Sequence, residues 1–169
     1  MSRIYVPECW TEQFLLYKIL EITKSNIKKE NNKPEVIKRI FKEAVSSLQI
    51  GIVDEDPGKT HSTKYHDFAE LQRSDEFRLR LLKRKNTRHY LIEICPDFEN
   101  WIIYLAKKAK IDSYKKYNIP RGDAYYLHDN SQENLPTNIE KFYVDVLTSQ
   151  DEVVRQIKQW ISGIEHKRL

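Results

Sequence analysis

No apolar run in this 169-residue chain approaches the roughly 20 residues that a bilayer-spanning helix needs. The opening MSRIYVPE also lacks a secretory apolar core, so neither a membrane anchor nor export is expected. Two cysteines, Cys9 and Cys95, stand far apart without metal-ligand spacing, which argues against a disulfide scaffold and for a reducing cytoplasm. Internal repeats and low-complexity tracts are absent. What remains is 40% apolar and 32% charged, the balance of a soluble protein long enough to bury one core.

Charge is unevenly placed. Residues 1–56 hold nine basic and nine acidic side chains, residues 57–118 hold fourteen against eight, and residues 119–169 hold six against eight. The basic excess is densest in RLRLLKRKNTR, residues 78–88. An anionic partner, nucleic acid first, fits that middle; a solvated edge strand kept soluble by Lys and Arg fits it equally.

RIYVPE reads as a short strand, followed by helical spacing at Phe14, Leu15, Ile19 and Ile22 with Thr11 as N-cap. Pro34 opens a second helix whose face is Val36, Ile37, Ile40, Phe41, Val45 and Leu48. IGIV is a strand of the kind covered on both faces. Strands alternating with helices predict an α/β layer architecture with a parallel pair. Residues 57–67 form an exposed loop carrying Lys59, His61, Lys64 and His66 at the carboxyl end of that strand, where open α/β sheets bind ligands. FRLRLLK and HYLIEIC form a hairpin, and a helix starts at Pro96 and Asp97 with Phe98, Trp101, Ile102, Leu105, Ala106 and Ala109 inward. Residues 111–138 form short helical turns, whose tyrosines pack on the sheet in preference to stacking on bases. KFYVDVL alternates like a strand, and Ser149 with Glu152 makes a capping box for a last helix. Trp101 and Trp160 are core.

IGIVDEDPGKTHS places three acids after an apolar strand. If RIYVPE and IGIV are parallel neighbours, Glu8 joins Asp54 and Asp56 at one edge, and such repulsion is relieved by a divalent cation. A turn built on Asp-Pro-Gly is the structural alternative, and Glu8 alone serves equally as a helix-terminus acid. A lysine at Lys59 could neutralise a transition-state oxyanion and a histidine relay a proton.

An acid after the first strand (YVPECWTEQ), a long helical stretch and a strand ending in D-x-D (IGIVDEDPG) resemble the Toprim domain over about residues 3–105. Two positions depart from it: Cys9 stands where the family has glycine, and Gly58 where a third aspartate follows the D-x-D. The resemblance implies a Rossmann-like three-layer sandwich with a mostly parallel central sheet. The catalytic core would be residues 1–110, and residues 111–169 an extension packed on the same domain. It implies Mg²⁺ or Mn²⁺ held by Glu8, Asp54 and Asp56, with Glu99 of LIEICPDFENWI as a fourth acid. On that basis the chain is expected to be a metal-dependent nuclease with Glu8, Asp54, Asp56 and Lys59 catalytic. Lys59, Lys64, Arg78, Arg80, Lys83, Arg84, Lys85 and Arg88 would track a DNA or RNA backbone. The chain would act in phage defence or repair with an ATPase partner or as a homo-oligomer; the alternative is a non-catalytic Toprim-like interaction or nucleic-acid-binding subunit, itself able to sit beside an ATPase.

Overall fold

The computed structural model describes residues 3–59 and 62–166. The chain divides into two compact units, residues 1–97 and 98–169.

Unit 1 is an α/β unit. Its strands are β1 (Arg3–Pro7), β2 (Leu48–Asp54), β3 (Phe68–Ser74), β4 (Leu79–Arg84) and β5 (His89–Ile94). They form one sheet in the order β1-β2-β5-β4-β3. β1 pairs parallel with β2 and β2 with β5, whereas β4 pairs antiparallel with both β5 and β3. The sheet is therefore mixed, not mostly parallel. The hairpin expected from FRLRLLK and HYLIEIC is the cause, since a tight turn with Asn86 in the left-handed region (φ 57°) can join only antiparallel strands.

Between β1 and β2 lie α1 (Trp10–Phe14), running on into a π-helical turn at Leu15–Ile19, and α2 (Lys33–Lys42). Cys9, not Thr11, occupies the N-cap of α1, and Glu12 reaches back to the Cys9 N–H at 3.0 Å. Asn32 caps α2 through the Glu35 N–H, with Pro34 in its first turn. The helix stops at Lys42, so Leu48 opens β2 and Val45 lies exposed between them.

Val36, Ile37 and Ile40 of α2 pack on Val6, Val53, Leu82 and Leu91 of the sheet. Gly51 permits that approach. A Cβ there would stand 2.5 Å from Leu91 Cδ2 and 3.0 Å from Ile40 Cδ1. Along the free edge of β1, Lys28 N–H donates to Tyr5 O and Glu30 N–H to Pro7 O, so segment 27–30 covers that side. β3, which the sequence reading missed, is the opposite edge and is largely exposed.

Unit 2 is helical: α3 (Phe98–Lys108), α4 (Ser113–Tyr117), α5 (Ala124–Asp129), α6 (Thr137–Ser149) and α7 (Asp151–Glu165). KFYVDVL is thus helix, not strand. Ile139, Phe142, Tyr143, Val146 and Leu147 are its buried positions, a spacing of three and four that overrides the local alternation. Gln150 precedes α7 without a side-chain cap, so the Ser149–Glu152 box does not form. Trp101 and Trp160 are buried as expected, and Phe98 packs against Trp101 and Tyr143 at centroid distances of 5.6 and 5.3 Å.

Candidate active site

Parallel pairing brings the carboxyl ends of β1, β2 and β5 to one edge of the sheet. Glu8 follows β1 directly, and its N–H continues the ladder by donating to Ile52 O at 3.0 Å. Its Oε2 accepts the Asp54 N–H at 3.2 Å. Burial pushes the Glu8 carboxyl above its ordinary range; the Asp54 N–H opposes that shift, the charge of Asp56 adds to it, and the Lys33 N–H and charge oppose it. Glu8 thus faces the chain carrying the two aspartates and also serves the amino end of α2, where Lys33 is the first residue.

After β2 the chain bends sharply. Asp56 has φ 53° and Gly58 φ 85°. Asp56 N–H donates to Pro96 O at 3.0 Å, and the Lys59 N–H closes the Asp-Pro-Gly turn on Asp56 O at 3.1 Å. The φ beyond +80° at Gly58 is where a side chain would be strained, and glycine is the residue that turn requires. Lys59 Nζ lies 2.6 Å from Asp56 Oδ1, with side chains 72% and 19% exposed respectively. That hydrogen bond raises the lysine pKa, and the charges of Asp56, Glu8 and Asp54 act in the same direction.

Glu8, Asp56, Lys59, Lys33, Asn32 and Ser62 line one cleft of about 200 Å³. Beneath it lies a polar network that the sequence reading did not anticipate. Lys33 is 4% exposed and Glu93 is fully buried. Lys33 Nζ donates to Asp54 O (2.6 Å), Glu55 O (3.1 Å) and Glu93 Oε1 (3.0 Å). Tyr65 O–H donates to Glu93 Oε1 at 2.7 Å, and Arg80 donates to Glu93 Oε2 and pairs with Glu55 at 3.0 Å. A buried carboxylate with three donors is satisfied, and Lys33 ties the acidic turn to it. The signal was present: Glu93 interrupts the apolar run HYLIEI, and a charge inside such a strand demands a partner.

Five carboxylates (Glu8, Asp54, Glu55, Asp56 and Glu93) meet three cations (Lys33, Lys59 and Arg80) around this edge. Among the described residues, however, no three Asp, Glu, His or Cys side chains group as a metal-holding set. Asp54 meets Glu8 through its backbone N–H, and Glu8 with Asp56 is the pair that shares the cleft. Two carboxylates fit magnesium, which is ordinarily held by one or two of them with water and phosphate completing its shell. Glu99 lies in the first turn of α3, within unit 2, where Ser131 Oγ stands 3.4 Å from its Oε1 and His128 Nδ1 4.0 Å from its Oε2.

The expected backbone-tracking residues diverge in role. Arg80 is committed to Glu55 and Glu93. Arg84 stacks on Phe41 at 3.7 Å and stands 3.4 Å from His89 Nδ1. Lys83 lies 5.3 Å from the Tyr90 ring, and Lys64 lies 5.2 Å from that of Phe41. Arg78, at φ 52°, accepts the Cys95 N–H on its carbonyl, and the Arg88 N–H donates to Val45 O. Lys85 is exposed in the hairpin turn, as is His66 in the short 3₁₀ turn before β3. His61 lies outside the described residues.

Fold and site together define an α/β protein with a five-stranded mixed sheet and an acidic cleft at the carboxyl ends of its parallel strands. No protein-family model matches the sequence, and no curated protein or solved structure matches the chain. Among the described residues, no helix is long and apolar enough to cross a membrane.

Proposed function

We propose that the chain is a Mg²⁺- or Mn²⁺-dependent phosphodiester hydrolase acting on DNA or RNA, built on a Rossmann-like, Toprim-type three-layer core and working in the cytoplasm. One observation carries this reading: Glu8 from the end of β1 and Asp56 from the turn after β2 face the same cleft, with Lys59 on its rim. Glu8 and Asp56 would hold the ion, and Asp54 adds negative charge behind them. When bound, the ion would polarise the phosphate and lower the pKa of its water. Lys59, exposed and kept charged by Asp56, reaches from that carboxylate to a phosphate oxygen. Lys64 and Lys85, both exposed, would meet a phosphate backbone.

The test is cleavage of labelled single- and double-stranded oligonucleotides with Mg²⁺ or Mn²⁺. Asp56→Asn and Glu8→Gln should each abolish cleavage and Lys59→Ala should slow it, with circular dichroism unchanged. Cleavage at the parent rate in Asp56→Asn contradicts the assignment.

One observation favours a second reading. Glu8 already accepts the Asp54 N–H at the mouth of α2, and Lys59 already neutralises Asp56. In that case the chain is a non-catalytic subunit, acting as a homo-oligomer or beside an ATPase in phage defence or repair. Magnesium separates the two readings: an ion bound only by the native state at 100 times its Kd adds about 2.7 kcal/mol, whereas the non-catalytic subunit gains nothing.

A further inference from the structure

Residues 107–121 carry six basic side chains (Lys107, Lys108, Lys110, Lys115, Lys116 and Arg121) against one acid, Asp112. This is the steepest charge bias in unit 2, and it is wrapped around α4. Asp112 is spent locally. Its carboxylate accepts the Tyr114 and Lys115 N–H groups at 3.0 Å each and pairs with Arg121 at 2.7 Å. Asp145 is spent likewise on Lys116 Nζ at 2.8 Å and Tyr117 O–H at 2.6 Å. Among the described residues, the side chains of Lys107, Lys110, Lys115 and Lys141 make no ion pair.

α4 borders two grooves. Its first residue, Ser113, lines one of about 300 Å³, where Lys107, Lys110 and Arg121 rim a floor that includes Ala106, Ile111 and Phe142. Its remaining residues line another of about 610 Å³ with Asn118, Asn138 and Lys141. Tyr117 is buried on Phe142, but Tyr114 is 56% exposed, with the Arg121 guanidinium 6.0 Å from its ring centre. The expectation that these tyrosines pack inward therefore fails at Tyr114 and at Tyr125. An exposed ring flanked by unpaired lysines and concave grooves is the chemistry that holds single-stranded nucleic acid: bases stack on the ring while phosphates meet the ammonium groups.

We infer that the α4 surface of unit 2 binds single-stranded nucleic acid without sequence preference, with Tyr114 as the stacking platform and Lys115, Lys141, Lys107 and Lys110 on the phosphates. A duplex fits poorly. Its bases are already stacked on one another, and a five-residue helix, about 7.5 Å long at ~1.5 Å per residue, is too short to read a major groove. The inference rests on the proposal above only for the class of partner.

The test is fluorescence anisotropy of the full chain with a labelled oligothymidylate and a duplex of equal length, in EDTA so that nothing is cut. The single strand should bind more tightly than the duplex. Tyr114→Ala should weaken it about 5- to 100-fold and Tyr114→Phe should not, as stacking requires. Lys115→Gln with Lys141→Gln should lower the slope of log K against log salt by about 1.4, at ~0.7 for each phosphate contact. Tyr125 is 84% exposed but lines neither groove, so Tyr125→Ala should bind as the parent does. Equal binding by Tyr114→Ala, an equal loss in Tyr125→Ala, or no preference over duplex overturns the inference. Cleavage by the parent chain with Mg²⁺ or Mn²⁺ keeps the two proposals apart: Tyr114-dependent binding without any metal-dependent cleavage leaves this surface standing and removes the hydrolase. Cleavage that Tyr114→Ala does not impair at limiting single strand does the reverse.

Discussion

Replacing Lys33 by methionine removes the charge that joins α2, the acidic turn and β5 while keeping the length of the side chain. Lys33 Nζ makes three hydrogen bonds, two to the carbonyls of Asp54 and Glu55 and one to Glu93, and almost none of it reaches water. Removing one partner of a buried pair ordinarily costs about 3–5 kcal/mol, because the other charge stays buried. Arg80 and Tyr65 still serve Glu93, which pulls the figure toward about 3 kcal/mol, whereas the two orphaned carbonyls push it up by about 1 kcal/mol or more each. A loss of about 3–5 kcal/mol corresponds to a fall in Tm of roughly 6–20 °C for a chain of this length. Urea and thermal denaturation followed by circular dichroism measure it. Adding Glu93→Gln should recover part of the loss, since the charge that lacked its partner is then gone. A loss below about 1 kcal/mol in Lys33→Met, or purely additive effects in the double variant, would mean that Arg80 alone compensates Glu93 and that Lys33 does not hold the acidic turn in place.

Two further outcomes follow from the same packing. His89 Nε2 stands 3.2 Å from Ala44 O and Nδ1 faces Arg84, the arrangement of a neutral imidazole, and burial holds its pKa below the ordinary 6.5. The unfolded chain therefore takes up that proton first, and stability complete above about pH 6.5 is lost as pH falls through the folded value. The urea midpoint should fall between pH 7.5 and 5.5 more steeply in the parent than in His89→Gln; equal slopes refute the assignment. Gly51→Ala places a methyl group against Leu91 and Ile40, and overpacking of that kind costs about 1–3 kcal/mol. An unchanged denaturation midpoint would mean that α2 moves away from β2 freely.

Where periodicity and burial agree, the sequence is readable. RIYVPE and IGIV are neighbours in parallel, and HYLIEI returns antiparallel to the strand before it, because their apolar residues are buried wherever the pattern says. β3 escaped because only Phe68 of FAELQRS is buried; an edge strand carries little apolar pattern. α6 was misread for the opposite reason. Phe142, Val144 and Val146 alternate over a short window, and only the span from Ile139 to Leu147 reveals the helical face. The positions of Glu8 and Asp56 at one edge were legible from strand ends alone. The bonds of Lys33 to Glu93 were not, because a lysine in the first turn of a helix looks solvent-facing until the strand beneath it is known to carry a carboxylate.

The central claim is that Glu8 and Asp56 take a divalent cation between them. Crystals of the full chain grown with Mn²⁺ test it directly, through the anomalous signal of the metal. The account predicts one peak in the cleft within bonding distance of both carboxylates, with Lys59 displaced from Asp56, and no peak there in Asp56→Asn. A cleft without anomalous density while Lys59 stays on Asp56 would contradict it.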